Sequence, residues 1–245
     1  MKIHPPYNHY VPFRAPRNLF STEYAIDASI IAYSGALRAA GAAASVGLGC
    51  ETINTPLFQC LVLTNNAEPD NALVAFRGTL DNQKIGLADW RVDLETGKTS
   101  AGFHSGFWDA VSVLHDDLVP LLNGQHVVFT GHSLGAAMAA VAAHRFSPHC
   151  KSVQIVNFGQ PKIGDQQAVD LLKGIPWNRY KHGGDIITDV PLGCMGYVHG
   201  GNQIQLPQVP HHFWQYFSHE KPFFFPVDLW DHIPTLYAKR IWERE

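Results

Sequence analysis

The chain has 245 residues, of which 46% are apolar and 16% are charged. This composition excludes an intrinsically disordered chain, and the length is sufficient for one substantial core in a single domain over residues 1–245. The 18 basic and 21 acidic residues give a net charge of −3 with no run of basic residues, which disfavours nucleic acid as a partner.

The start of the chain lacks the features of an export signal. Residues 1–16 (MKIHPPYNHYVPFRAP) carry prolines where a signal peptide needs an apolar stretch, and residues 1–17 are predicted to form an N-terminal arm. The longest weakly polar run, Gly35 to Gly49, is too short and too weakly apolar to cross a bilayer. We therefore expect a soluble protein with no transmembrane segment, cytoplasmic by default, with secretion as the alternative.

The four cysteines show no CxxC spacing and are too few for a disulfide framework. Pairing of Cys50 with Cys60 is the alternative, but buried free thiols are favoured. The residues concerned are Cys50, Cys60, Cys150 and Cys194.

The first half of the chain predicts two helices and two strands. Ser21 is a suitable N-cap for a helix over about 22–40, whose isoleucines and alanines recur near helical spacing. Two apolar runs, Leu57 to Thr64 and Ala72 to Phe76, flank a segment typical of a turn and predict two strands. Residues 105–122 predict a second helix that ends at an Asn-Gly pair.

The second half alternates between short apolar strands and helices, which predicts βαβ units, a mostly parallel sheet and an α/β fold. From Leu192 to Trp230 prolines and aromatic residues replace this pattern, as is typical of a functional loop. The predicted strands are His126 to Thr130, Val153 to Phe158 and a strand ending near His182; the predicted helices are Leu134 to Phe146, 164–173 and a terminal helix containing LYAKRIW.

A candidate nucleophile, Ser133, lies between the strand and the small-residue helix in the sequence Gly131-His132-Ser133-Leu134-Gly135. A serine on a sharp strand-to-helix turn projects above the sheet, and the two glycines leave room for the tight backbone. The helix N-terminus favours developing negative charge, so the Leu134 amide is predicted to bind an oxyanion. His132 is predicted to point away from Ser133 and to pack.

Several motifs in order resemble the class 3, or fungal-type, lipases of the α/β-hydrolase superfamily. The similarity runs in register from about residue 20 to 240 and implies an α/β-hydrolase fold, with a mostly parallel central sheet flanked by helices. The motifs are FRGT (76–79), DWRVDL (89–94), HSGF (104–107), GHSLGAA (131–137) and NFGQPKIGD (157–165).

A serine nucleophile needs a histidine to take its proton and a carboxylate to orient that histidine. In α/β-hydrolases both follow the serine, in the order acid and then histidine. Asp185 follows a predicted strand, and the resemblance supports it because a proline comes six residues later, as in the acid motif of these lipases. Asp189 is the competitor and Asp165 a third candidate, although the resemblance makes Asp165 a helix cap.

Five histidines follow Asp185 along the chain. His232 precedes the terminal helix in an Asp-His pair, where the similar lipases carry their catalytic histidine, and His219 is the next candidate. The second oxyanion donor should come from the loop after an early strand, and Thr79 of FRGT fits with its backbone amide.

The similar lipases often carry a lid before a W-x-x-D element, here Trp90 and Asp93. The corresponding segment, Leu80 to Asp89, is short and has a thin apolar face, which disfavours obligatory activation at a lipid surface. Aromatic residues over 213–217 and 223–225 could line an acyl pocket or pack in the core.

These features predict a serine carboxylic ester hydrolase that acts on an acyl-ester or lipid substrate, with a triacylglycerol lipase favoured. It needs no metal and no organic cofactor. A phospholipase A1 and a feruloyl-type esterase are the alternatives, and a non-catalytic lipase-like interaction protein is a more distant one. A metal hydrolase is disfavoured because the 14 histidines show no HxxxH or HxH spacing on a helix.

Overall fold

The computed structural model describes residues 10–14, 18–55, 58–78, 97–209 and 231–243. Within these ranges seven strands form one sheet whose spatial order follows the chain order. The first two pairs are antiparallel and the following four are parallel. The strands are β1 (Leu48–Asn54), β2 (Gln59–Asn65), β3 (Glu68–Phe76), β4 (His126–His132), β5 (Ser152–Phe158), β6 (Trp177–His182) and β7 (Asn202–Leu206).

The parallel strands end at a common edge of the sheet. Phe76 of β3 is level with Gly131 of β4, and Phe158 of β5 is level with both His132 of β4 and Tyr180 of β6. The residues that follow these strands therefore meet at this carboxyl edge, where open α/β sheets bind their ligands. The predicted nucleophile and the predicted acid both follow strands that end there.

Helices cover both faces of the sheet and bury its apolar side chains. On one face α1 (Thr22–Ile31) and α7 (Pro234–Trp242) lie together. On the other face α5 (Leu134–Phe146) packs on β3, β4 and β5, with α3 (Ser105–Ser112) outside it. In the described part of the chain, no helix has the length and apolar character needed to span a membrane. The helices are α1 (Thr22–Ile31), α2 (Ala36–Ala44), α3 (Ser105–Ser112), α4 (His115–Leu122), α5 (Leu134–Phe146), α6 (Gln166–Asp170) and α7 (Pro234–Trp242).

The predicted α/β class is confirmed, but three helix predictions were too long. The helix predicted over 22–40 is two helices, because α1 ends at Ile31 and Gly35 is the N-cap residue of α2. The helix predicted over 105–122 is likewise divided into α3 and α4, and that predicted over 164–173 shortens to α6.

Two strands were not predicted, and both lie at an edge of the sheet. β1 and β7 have half-exposed, mixed sequences (LGCETIN and NQIQL) without the apolar run of a central strand. β7 also lies inside the segment 192–230 that was predicted to be irregular.

All four cysteines are free, as predicted, but the expectation that they are buried was wrong for three of them. Cys60 on β2 is buried, Cys50 and Cys150 are partly exposed, and Cys194 is exposed. The exposed thiol follows from its position in a short turn, Gly193–Met195, whose residues are all solvent-exposed.

A buried carboxyl, Asp27 on α1, joins three distant parts of the chain. Its oxygens accept hydrogen bonds from the Tyr10 hydroxyl, the Phe13 amide and, at 3.1 Å, the Trp242 indole. Burial raises the pKa of Asp27 to about 6 even though these bonds favour the ionised form. The folded protein therefore holds this proton more tightly than the unfolded chain.

Asp27→Asn is expected to gain stability relative to the wild type as the pH rises. Asp27 stabilises the folded wild type most below its unfolded pKa of about 4, and this stabilisation is lost as the pH rises through 6. The difference in unfolding free energy between variant and wild type should therefore grow by about 3 kcal/mol from pH 4 to pH 7. Urea denaturation across this range measures it, with exposed Asp109→Asn as the control. A difference that stays constant with pH would contradict the assignment.

Candidate active site

Ser133 lies on a tight turn between β4 and α5, in a backbone conformation that non-glycine residues rarely adopt. Its φ is 59° and its ψ is −129°. A Cβ on Gly131 would lie 2.3 Å from the carbonyl carbon of Gly135, and one on Gly135 would lie 2.1 Å from the Phe76 carbonyl oxygen. Both glycines of the motif are therefore required sterically, as the sequence predicted, and the strained turn projects the serine from the sheet.

The N-terminus of α5 lies directly behind Ser133. Leu134 is the first residue of this 13-residue helix, so its amide has no acceptor within the helix. The amide and the helix dipole together suit the binding of a developing negative charge. Thr79, the second predicted donor, lies outside the described residues, although Gly78 just before it is described.

Asp185 and His232, which are 47 residues apart in sequence, form a hydrogen-bonded pair at the same edge of the sheet. Nδ1 of His232 lies 2.8 Å from Oδ2 of Asp185. The same carboxylate oxygen accepts a hydrogen bond from the hydroxyl of Tyr237 on α7, and Oδ1 accepts one from the Ile187 amide at 2.9 Å. Asp185 is fully buried, whereas 14% of the His232 side chain is exposed.

The surroundings of Asp185 favour its ionised form. Burial alone raises the pKa of this carboxyl, but the charge of His232 and the hydrogen bonds from His232 and Tyr237 outweigh it, so that the pKa is lowered. Burial and the neighbouring Asp185 raise the pKa of Tyr237, which therefore stays a neutral donor. An ionised Asp185 orients the His232 ring with its proton on Nδ1 and leaves Nε2 to accept one.

The three predicted triad residues lie on adjoining segments. The Ser133 amide donates to the Phe158 carbonyl at 3.0 Å. A Cβ added to the next residue, Gly159, would lie 2.9 Å from Oδ2 of Asp185 and 3.0 Å from Cε1 of His232. Within the described ranges, Nε2 of His232 is buried without a hydrogen-bond partner, so the serine–histidine bond is not formed in this state. Such bonds are often long in unliganded enzymes and tighten when substrate binds.

The structure assigns other positions to the competing carboxylates. Asp189 has a side chain that is 64% exposed and pairs with Lys181. Asp165 caps α6, as the resemblance to the class 3 lipases implied, by accepting from the Gln167 and Ala168 amides. Across the described ranges, no three histidine, cysteine, aspartate or glutamate side chains come together as potential metal ligands.

Several predicted features lie outside the described residues. These are the competing His219, the segment Leu80 to Asp89, Trp90, Asp93 and the aromatic stretches 213–217 and 223–225. The predictions about them stay predictions.

No local sequence pattern points to three side chains that lie near the triad. Tyr33 lies in the turn after α1, His182 ends β6 and Tyr237 lies on α7, all far from the nucleophile in sequence. His132 packs as predicted and is 2% exposed, but it also hydrogen-bonds to the loop that carries His232. Only the tertiary structure brings these groups to one place, although the apolar spacing of α7 does identify Tyr237 as facing the core.

The architecture is an α/β-hydrolase fold with a serine-centred elbow after its fourth strand. The family model "Lipase (class 3)" matches residues 73–194, about half of the chain. The chain belongs to the class 3 lipase family.

Individual proteins are also similar to this chain, and the two solved structures among them, at 22% identity, support the fold. The secreted mono- and diacylglycerol lipase A of Penicillium cyclopium is 27% identical over 179 residues, covering 66% of this chain and 56% of that protein. The lipase–propeptide complex of Rhizomucor miehei matches with a TM-score of 0.62 and 22% identity, over 76% of this chain and 67% of that chain. A triacylglycerol lipase whose catalytic centre is described as a serine protease triad also has a TM-score of 0.62, at 22% identity over 76% and 78% of the two chains.

Proposed function

We propose that this protein is a serine carboxylic ester hydrolase and, more narrowly, a triacylglycerol lipase. The observation that carries the proposal is the strained Ser133 elbow beside the buried Asp185–His232 pair. The names of the relatives support a lipase, but the chain spans only 56% of the Penicillium protein. The activity therefore rests on the site rather than on the likeness alone.

The proposed reaction has two halves. Nε2 of His232 takes the hydroxyl proton of Ser133 while the serine oxygen bonds to the ester carbonyl carbon. The Leu134 and Thr79 amides stabilise the oxyanion, each contributing about 3 kcal/mol of barrier lowering. His232 then gives its proton to the departing alkoxide, which leaves as the alcohol, and an acyl group remains on Ser133. Water, deprotonated by the same histidine, attacks this ester, and Ser133 regains its proton as the carboxylic acid leaves.

The aromatic stretches over 213–217 and 223–225 in the sequence favour an apolar acyl chain in the substrate. We propose water-insoluble or medium-chain acyl esters, which the chain meets in solution or at a lipid–water interface. The short segment Leu80 to Asp89 supports activity that does not depend on an interface. We also propose that residues 1–245 form a single domain, with an N-terminal arm over residues 1–17.

A fluorophosphonate probe and a substrate panel test this function together. The probe should label the wild-type protein once, at Ser133, as located by peptide mass spectrometry, and His126→Gln should label equally. Tributyrin should be hydrolysed faster than phosphatidylcholine or methyl ferulate. Preference for either of the last two would replace the triacylglycerol assignment by phospholipase A1 or feruloyl esterase. Absence of both labelling and hydrolysis would indicate a non-catalytic protein.

A further inference from the structure

Two buried histidines contact consecutive backbone carbonyls of the segment that carries His232. Nδ1 of His182 lies 3.1 Å from the carbonyl oxygen of Asp231. Nε2 of His132 lies 2.7 Å from the carbonyl oxygen of His232. His132 and His182 are 2% and 0% exposed, and they end two different strands of the sheet. The dipeptide Asp231-His232 is thus bonded to β4 on one side and to β6 on the other.

The second nitrogen of each ring fixes its tautomer. The Tyr33 hydroxyl lies 3.0 Å from Nδ1 of His132, and the Val209 amide donates to Nε2 of His182 at 3.1 Å. A carbonyl oxygen only accepts, so in a neutral ring the proton must be on the nitrogen that faces the carbonyl. In His132 the Tyr33 hydroxyl then donates to the other nitrogen, as the Val209 amide does in His182.

Both rings are kept neutral. Burial, followed by the charge of the nearby His232, lowers the pKa of His132 well below its usual value. Burial also lowers the pKa of His182, and the opposing effect of Asp231 does not compensate. A neutral His132 adds no charge beside the imidazolium that forms at His232, whose ring centre is 4.5 Å away.

The side chain of Asp231 joins the same dipeptide to the segment that carries the acid. Its Oδ2 accepts a hydrogen bond from the Gly184 amide at 2.7 Å and one from the Gln208 side chain at 3.0 Å. Gly184 directly precedes Asp185 in the chain. The positions of the base and the acid are therefore coupled through backbone bonds as well as through the Asp185–His232 contact.

We propose that His132 and His182 are positioning residues that hold the backbone of Asp231-His232, and so set the distance from Nε2 of His232 to the Ser133 hydroxyl. The inference rests on the proposed hydrolase function. Neither histidine touches the reacting atoms. Their effect is on the placement of the base, where an error of about 1 Å can lower a rate a hundredfold.

Substitutions at the two ends of β4 test the role of His132. His132→Phe keeps a planar ring but removes the donor, and His132→Gln supplies an amide donor near the position of Nε2. We expect kcat for tributyrin to fall about tenfold to a hundredfold in His132→Phe with KM changed less than about threefold. His132→Gln should recover most of this loss. His126→Phe, at the partly exposed start of the same strand, should match the wild type.

Tyr33→Phe and His182→Gln extend the test to the residue that fixes the His132 tautomer and to the second positioning histidine. Tyr33→Phe removes the donor that fixes the His132 tautomer and should lower kcat in the same sense as His132→Phe. The proton NMR signal of the His232–Asp185 hydrogen bond gives a readout that does not need turnover. It should broaden or shift in His132→Phe and His182→Gln and stay unchanged in His126→Phe. If His182→Gln does not fold, the His132 and Tyr33 variants carry the test.

The outcomes separate this inference from the proposed function. Wild-type protein that is not labelled at Ser133 and hydrolyses no ester overturns the hydrolase proposal and, with it, this one. Labelled, active wild type combined with folded His132→Phe of unchanged kcat and unchanged NMR signal overturns the positioning role alone. A thermal unfolding midpoint that falls equally in His132→Phe and His132→Gln, with kcat lowered equally, indicates a structural role only and also overturns it.

Discussion

Ser133→Ala is expected to lower the turnover of a p-nitrophenyl ester by at least about a thousandfold. Alanine removes the only atom proposed to form the acyl-enzyme, and no other serine lies on the elbow. The substitution keeps the Cβ and the φ of 59°, so the strain at the turn and the fold should be unchanged. Initial rates over a range of ester concentrations give the change in kcat and in kcat/KM.

A matched serine substitution separates loss of the nucleophile from general damage. Ser45→Ala changes an exposed serine at the end of α2, whose hydroxyl donates to the Ala42 carbonyl, and should leave turnover unaffected. Circular dichroism and thermal unfolding should be the same for wild type and both variants. Folded Ser133→Ala with wild-type turnover would remove the basis of the proposed mechanism.

The central part of the fold was predictable because its strands are buried on both faces. β2, β3 and β4 contain continuous apolar runs, and β5 is mostly apolar although Gln154 and Asn157 interrupt it. α5 consists largely of small residues that allow close approach to the sheet. The edge strands β1 and β7 are half exposed and lack such runs, so no local pattern marks them. The breaks within the predicted helices depend on how each segment packs, which spacing alone does not determine.

The candidate site was predictable to a similar degree, for different reasons. Ser133 follows from its glycines and from the strand and helix beside it, and Asp185 follows from its place after a strand at the carboxyl edge. His232 depended on the resemblance to a family, because five histidines follow the acid and no spacing distinguishes them. The bonds of His132, His182 and Tyr237 join residues far apart in sequence, and such pairings leave no signal in one sequence.

Three histidines at this edge of the sheet differ in chemistry because their partners differ. In His132 and His182 one nitrogen accepts from a fixed donor and the other donates to a carbonyl, so both nitrogens of each ring are already hydrogen-bonded. In His232 Nδ1 faces a carboxylate and, within the described ranges, Nε2 has no partner. Only His232 therefore combines a nitrogen able to take a proton with a group that stabilises the resulting charge.

Asp185→Asn is expected to lower kcat about ten-thousandfold, because it reverses the tautomer of the base. The Ile187 amide donates to Oδ1 of Asp185, so the oxygen of an asparagine amide must take that side. The NH2 group then faces Nδ1 of His232 and the Tyr237 hydroxyl, where Oδ2 accepted two hydrogen bonds. Nδ1 of His232 becomes an acceptor, and its proton moves to Nε2, which can no longer deprotonate Ser133.

Asp189→Asn is the matched control, because Asp189 lies four residues further along the same segment and was the competing candidate for the acid. Its carboxylate is exposed and pairs with Lys181, and such surface pairs contribute at most about 1 kcal/mol. Turnover should therefore remain near the wild-type value. Measured kcat for the two variants discriminates directly between the two carboxylates. A larger loss of kcat in Asp189→Asn than in Asp185→Asn would contradict the assignment of Asp185 as the acid. It would mean that the buried Asp185–His232 pair is structural and that another group orients the base. Because only the tautomer of His232 changes, Asp185→Asn should also remain folded and bind substrate with a KM close to that of the wild type while its chemical step is slow.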